Sequence, residues 1–188
     1  MEPGQENMNS SVPNIFLIGP MGSGKTTIGK RLAEMLNLNF FDCDQELESI
    51  TGASVNLIFD VEGESGFRQR ETRLLNQLAV KKGVLISTGG GVVCAAENRR
   101  ILRTMGFVVY LKTSVEHQLK RLSQDKSRPL LQADDKLQRL RHLATVRDPL
   151  YDASADLVFQ TSNESVYTTA KSLSCAILEQ LEPFNADR

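Results

Sequence analysis

Gly19-Pro20-Met21-Gly22-Ser23-Gly24-Lys25-Thr26 reads GxxxxGK[ST], and it stands between an apolar run, Ile15-Phe16-Leu17-Ile18, and a segment with helical patterning from Lys25 onward. Strand, glycine loop and helix in that order make a phosphate cradle. The glycines let backbone N–H groups turn inward around phosphate oxygens, and the following helix adds the positive end of its dipole. Lys25 is placed to reach the β- and γ-phosphates of a nucleotide, and Thr26 offers a hydroxyl to the Mg²⁺ that bridges them. At ordinary residue frequencies the four fixed positions coincide by chance in roughly one chain in a hundred of this length, before the flanks are counted.

The rest of the composition bounds what surrounds that loop. A chain of 188 residues with 40% hydrophobic content buries one good core and is short for two, so we expect a single domain over about residues 13 to 182. Residues 1 to 12, MEPGQENMNSSV, read as a polar tail without the basic start and apolar stretch of a secretory signal, and 183 to 188 as a second tail. Lys+Arg of 22 against Asp+Glu of 23 leaves a net charge of −1, which argues against broad capture of nucleic acid or anionic membrane. Cys43, Cys94 and Cys175 are odd in number, far apart and in no CxxC pair, so neither a disulfide framework nor a zinc site is expected, and a reducing cytoplasm fits. No apolar stretch approaches the length of a membrane span. His117 and His142 are not spaced as a metal pair and read as surface positions.

Along the chain, apolar periodicity predicts a helix from about Lys25 to Met35, with Ile28, Leu32 and Leu36 as its buried stripe, and a second strand over residues 39 to 42. Asp42 and Asp44 follow at that strand's carboxyl end, and in extended chain residues two apart share a face, near the glycine loop if the strands are neighbours. Alternatively Asp44 caps the helix that starts at Gln45, which leaves Asp42 unexplained. Ser54 caps a short helix, and a longer one covers roughly Ser65 to Lys81, where Arg68 is either a ligand residue or part of a solvated face. The strand Val84 to Ser87 ends in Thr88-Gly89-Gly90-Gly91, which suits a ligand held against bare backbone or a flexible turn. A helix from about Ala95 to Met105, the strand Phe107 to Leu111 and a helix from Val115 to Leu122 come next. Ser123 to Leu131 is polar and loop-like, either a lid presenting Arg128 to phosphate or an ordinary surface loop. A helix over 136 to 146, ending in Arg147-Asp148-Pro149-Leu150-Tyr151, the strand Ala155 to Phe159 and a helix over 164 to 181 complete an alternation of five strands with helices. That pattern is an α/β fold with a central parallel sheet.

With these pieces in order the chain resembles the shikimate kinases, over about residues 14 to 182. The resemblance rests on the glycine loop, Asp42-Cys43-Asp44, Gly66-Phe67-Arg68 with Glu71, Gly89-Gly90-Gly91, Ser127-Arg128-Pro129-Leu130-Leu131 and Arg147-Asp148-Pro149-Leu150-Tyr151. Each motif alone is modest, and six in register are specific.

The resemblance implies a P-loop NTPase-type three-layer fold, nucleoside-monophosphate-kinase-like, with sheet order 2-3-1-4-5. It also implies a shikimate-binding subdomain over about 43 to 71 and a lid over about 123 to 135. The implied reaction moves a phosphoryl group from ATP to the 3-hydroxyl of shikimate, a step of chorismate and aromatic amino acid biosynthesis, in a monomer. Gly22, Ser23, Gly24, Lys25, Thr26, Thr27 and Arg128 would hold ATP, with Lys25 and Arg128 on the γ-phosphoryl group, and Thr26 with Asp42 would form the Mg²⁺ site. Asp44, Arg68, Gly90 and Arg147 would hold shikimate, the two guanidinium groups gripping its carboxylate and Asp44 its hydroxyls. Asp44 is also the candidate to take the proton of the attacking hydroxyl, with Arg121 laid against adenine. Another small-molecule kinase of the same architecture, such as a gluconate kinase, would share the P-loop but not the set Asp44, Arg68, glycine triplet and Arg147. A GTPase-like switch would need an Asn-Lys-x-Asp motif, and the chain has no Asn-Lys pair. An inactive scaffold would have lost catalytic positions that are all present here.

Overall fold

Ile15–Ile18 forms β1, the central strand, and its four side chains are fully buried because neighbours cover both faces and both edges. Alternation divides them: Ile15 and Leu17 join one apolar cluster, Phe16 and Ile18 the other. The computed structural model describes residues 12–122 and 135–185, with side chains as far as Leu181. Within them β2 (Asn39–Asp42), β3 (Val84–Ser87), β4 (Phe107–Lys112) and β5 (Leu157–Gln160) complete a five-stranded parallel sheet in the order β2-β3-β1-β4-β5. Register pairs Phe16 with Ile86 on one side and with Val108 on the other.

Helices cover both faces. On one, α1 (Lys25–Leu36) and α7 (Val166–Asn185) pack Ile28, Leu32, Ala170, Leu173 and Ile177 on Leu17, Leu85 and Val109. The close approach of α1 depends on Gly29: a Cβ there would lie 2.8 Å from Phe40 and 2.9 Å from Leu17. On the other face α2 (Cys43–Thr51), α3 (Val55–Ala79), α4 (Ala96–Met105) and α6 (Lys136–Ser154) bury Leu47, Phe67, Leu75, Leu102 and Tyr151 against Phe16, Ile86 and Tyr110. The short α5 (Val115–Leu122) packs Leu122 on Leu140 of α6. Among the described residues no helix is long and apolar enough to cross a membrane.

The chain runs from β1 to β2 and β3 on one side of the sheet, then crosses back over β1 to β4 and β5. This reversal opens a crevice at the carboxyl ends of β1 and β3, where ligands bind in open α/β sheets. Thr88, just after β3, closes the base of that crevice by donating both its N–H and its hydroxyl to the Leu17 carbonyl, at 3.1 and 2.9 Å.

Three local readings need correction. Asp42, not Asp44, caps α2: its carboxylate accepts from the N–H groups of Asp44 and Gln45 at 3.1 and 3.3 Å. Helix therefore begins at Cys43, and the extended-chain argument for Asp42 and Asp44 sharing a face does not apply. The helix expected over 136 to 146 continues to Ser154 through Pro149, because tertiary anchors on its last turns outweigh a ring that removes one N–H. Third, the fifth strand, expected from Ala155, starts at Leu157, since Ala155 is still tied as the C-cap of α6 by its N–H to the Tyr151 carbonyl. Ser54 caps α3 as expected, and the break expected before Ser65 is a kink at Gly63, whose φ of 70° is left-handed.

Candidate active site

At the carboxyl end of β1 the loop 19–24 turns through glycines at φ 143°, 76° and 92°, at Gly19, Gly22 and Gly24. Gly24 is the N-cap of α1 and offers no side chain, and no acidic residue occupies the first turn. The helix start is thus left open to an anion. Lys25, 8% exposed, folds its ammonium back to donate to the carbonyls of Gly19 and Pro20 at 2.8 and 2.9 Å. Ser23 is fully buried, with its hydroxyl 3.5 Å from Lys25 Nζ, so what it can offer a phosphate comes from the backbone. Thr27 is exposed and lines the cleft, and Thr26 donates its hydroxyl to Asp42 Oδ2 at 2.6 Å. Arg121, from α5, bridges the Gly22 and Ser162 carbonyls at 3.0 and 3.1 Å on the cleft's rim.

Across a cleft of about 990 Å³, a second group of charges gathers on α2, α3 and α6, beside the glycine loop after β3. Arg68 Nη1 donates to Glu71 Oε2 at 2.7 Å and Nη2 lies 3.4 Å from Glu64. Glu71 is 4% exposed, and burial pushes its carboxyl above the ordinary range while the Arg68 ion pair opposes that push. Its second oxygen, Oε1, and Arg68 Nε are enclosed without a hydrogen-bond partner. Asp44, in the first turn of α2, lines the same wall. Arg147, on α6, donates to the Gly90 carbonyl at 3.2 Å, and the Tyr151 hydroxyl donates to the same oxygen.

The glycine triplet has a steric reason that spacing alone does not show. A Cβ on Gly91 would fall on the Arg68 guanidinium, and one on Gly89 would lie 2.6 Å from Glu71 Oε1. Two of the three glycines thus make room for the protein's own charged side chains, and Gly90 presents its carbonyl to α6. Glu71 and Tyr151 belong to the motifs quoted above, yet neither had a role read from sequence. The available signal was their fixed distance from Arg68 and Arg147, three and four residues on.

Of the residues expected at the site, Gly22, Gly24, Lys25, Thr26, Thr27, Asp42, Asp44, Arg68, Gly90 and Arg147 meet at one cleft. Arg128 and all of the expected lid but Asp135 lie outside the described residues, as does the amino-terminal tail to Ser11. His142 is exposed as expected, whereas His117 is half-buried, with Nδ1 enclosed. Among the described residues no three His, Cys, Asp or Glu side chains form a metal cluster. All three cysteines are free, and burial raises the Cys43 thiol well above its ordinary pKa.

The family model described as "SKI: Shikimate kinase" matches residues 21–181. The shikimate kinase of Buchnera aphidicola subsp. Schizaphis graminum (strain Sg) is 51% identical over 170 residues, 90% of this chain and 96% of that protein. Among solved structures, the shikimate kinase from Acinetobacter baumannii in complex with shikimate is 47% identical with a TM-score of 0.87, covering 90% of this chain and 95% of that one. The shikimate kinase from Bacteroides thetaiotaomicron is 31% identical with a TM-score of 0.82, over 88% and 98% of the two chains. The family match runs from Met21 in the phosphate loop past Arg68 and Arg147, and the chain therefore belongs to the shikimate kinase family.

Proposed function

We propose that this chain transfers the γ-phosphoryl group of ATP to the 3-hydroxyl of shikimate, releasing ADP and shikimate 3-phosphate for the synthesis of chorismate and aromatic amino acids. The observation that carries this is one cleft with an open phosphate loop at one end and the paired arginines Arg68 and Arg147 at the other. A nucleotide phosphate and a small carboxylic acid each find their complement in that one cleft.

Lys25 has to leave the Gly19 and Pro20 carbonyls and turn to the β- and γ-oxygens, so nucleotide binding exchanges two neutral acceptors for charged ones. Gly22, Ser23, Gly24, Thr26 and Thr27 supply the cradle, and Arg128 is assigned as the second cation on the γ-phosphoryl group. Arg68 and Arg147 hold the acid's carboxylate, while Asp44 accepts hydrogen bonds from its hydroxyls. Positioning dominates in a loose transition state, so the proton of the attacking hydroxyl passes to the Asp44 carboxylate as phosphorus–oxygen bond formation proceeds.

Thr26 and Asp42 fit a magnesium site: a hydroxyl and a carboxylate already within hydrogen-bond distance are hard oxygen donors, and Mg²⁺ is bound by few protein ligands besides phosphates and water. Bound there, the ion would neutralise charge on the phosphate oxygens. We assign the segment 43–71 as the acid-binding subdomain, 123–135 as the lid, the cytoplasm as the compartment and the monomer as the working form.

ADP release measured with ATP and Mg²⁺ tests the reading, with shikimate, gluconate, nucleoside monophosphates or no acceptor present. Turnover with shikimate alone is expected; equal ADP release without an acceptor would leave an ATPase and remove the roles given to Arg68 and Arg147. Gly91→Ala gives a second test. Gly91 has φ of −102°, which alanine adopts, so its cost is the displaced Arg68 guanidinium rather than backbone strain. We expect the shikimate KM to rise about tenfold with the ATP KM unchanged, because misplacing one positioning group by an ångström is enough for such a loss. An unchanged shikimate KM would remove Arg68 from the acid site.

A further inference from the structure

Arg147 and Tyr151 stand one helical turn apart on α6 and share one acceptor, the Gly90 carbonyl. A carbonyl oxygen has two lone pairs, so both donors are accommodated at once. Tyr151 is fully buried, its ring stacked on Tyr110 with centroids 4.9 Å apart, and Tyr110 in turn donates its hydroxyl to Asp148 at 3.2 Å. Packing alone would be met by phenylalanine, yet the hydroxyl is aimed at the one carbonyl that also holds a substrate arginine. Burial raises the phenol's pKa, so it remains a donor throughout the working range of pH.

We propose that Tyr151 is a positioning residue for the acid subsite: it keeps the Gly90 carbonyl satisfied, so that Arg147 is free to turn its guanidinium to the substrate carboxylate. The proposal rests on the assignment of Arg147 to shikimate given above. A half-buried carbonyl that loses one of two donors binds the remaining donor more tightly, because fewer partners are left to satisfy its lone pairs. With Tyr151 in place Arg147 leaves a carbonyl that still has a partner. Without the hydroxyl, Arg147 is the one donor left to that carbonyl among the described residues and is held on the protein when it is needed by the ligand.

Tyr151→Phe tests this, with wild-type turnover of shikimate as the control for the assignment beneath it. Absence of that turnover would overturn both readings, whereas its presence isolates the role of Tyr151. The variant is expected to raise the shikimate KM about tenfold, with the ATP KM unchanged and kcat within about threefold. Tyr110→Phe, which removes a hydroxyl from the same stack without touching Gly90, should leave the shikimate KM within about twofold. In an Arg147→Ala background, adding Tyr151→Phe should have no further effect on that KM, since no guanidinium remains to be released. An unchanged KM in Tyr151→Phe, an equal rise in Tyr110→Phe, or the same multiplicative rise in the Arg147→Ala background would overturn the proposal. So would a parallel rise in both substrates' KM with a lowered melting temperature, the mark of a loosened core.

Discussion

Replacing Lys25 by methionine is expected to lower kcat by about 10³-fold, with the melting temperature falling only modestly. The methionine side chain has nearly the same length and volume, so the 8%-exposed position stays filled. What is lost is the positive charge. In the structure that charge is held by two loop carbonyls, at 2.8 and 2.9 Å, and their loss of a donor costs about 1–3 kcal/mol of stability. In the transition state it faces the oxygens of the transferring phosphoryl group, where a single preorganised donor is worth a factor of 10² to 10³ or about 3–4 kcal/mol. ADP release at saturating ATP and shikimate, beside a thermal melt of the same preparation, measures both quantities. Near-normal turnover would mean that Lys25 only braces the loop.

The phosphate loop was legible in sequence because its chemistry is local: strand, glycines, lysine and hydroxyl are consecutive, so spacing fixes their geometry. The sheet was legible for a related reason, since four-residue runs such as Val84 to Ser87 are apolar on both faces as a covered parallel strand demands. What was not legible depends on contacts between distant segments. Asp42 caps α2 and also accepts from Thr26, sixteen residues earlier, and no period in the sequence reports that second bond. The extension of α6 through Pro149 was hidden for the same reason: the anchors that hold its last turns lie on Tyr110 and Gly90. The triplet 89–91 looked like a surface for a ligand, and the structure fills two of its three hydrogen-only positions with Glu71 and Arg68. Those side chains are about twenty residues away in sequence and adjacent only because β3 ends beside α3.

Arg147→Ala is expected to raise the shikimate KM about 100-fold while leaving the ATP KM within about twofold. Truncating one partner of a desolvated, hydrogen-bonded charge pair costs about 2–5 kcal/mol, and each 1.4 kcal/mol is about tenfold. The low end applies here, because Arg68 remains in the same cleft to neutralise the carboxylate. Stability should change little: Arg147 gives one 3.2 Å bond to a carbonyl that Tyr151 also serves, so its removal orphans no buried group. The ATP contacts should be largely kept, since Lys25 donates to the Gly19 and Pro20 carbonyls and Thr26 to Asp42, whereas Arg147 donates to Gly90. Arg147→Lys separates charge from shape. Lysine restores the positive charge but not the planar fork, so it should recover only part of the loss. Titration calorimetry with shikimate alone checks that the KM effect is one of binding, because KM follows affinity only when chemistry is slow relative to dissociation. A rise in the ATP KM that parallels the rise for shikimate would move Arg147 from the acid to the nucleotide. An unchanged shikimate affinity would leave Arg68 as the carboxylate's single guanidinium and make the Arg147–Gly90 bond a purely internal brace.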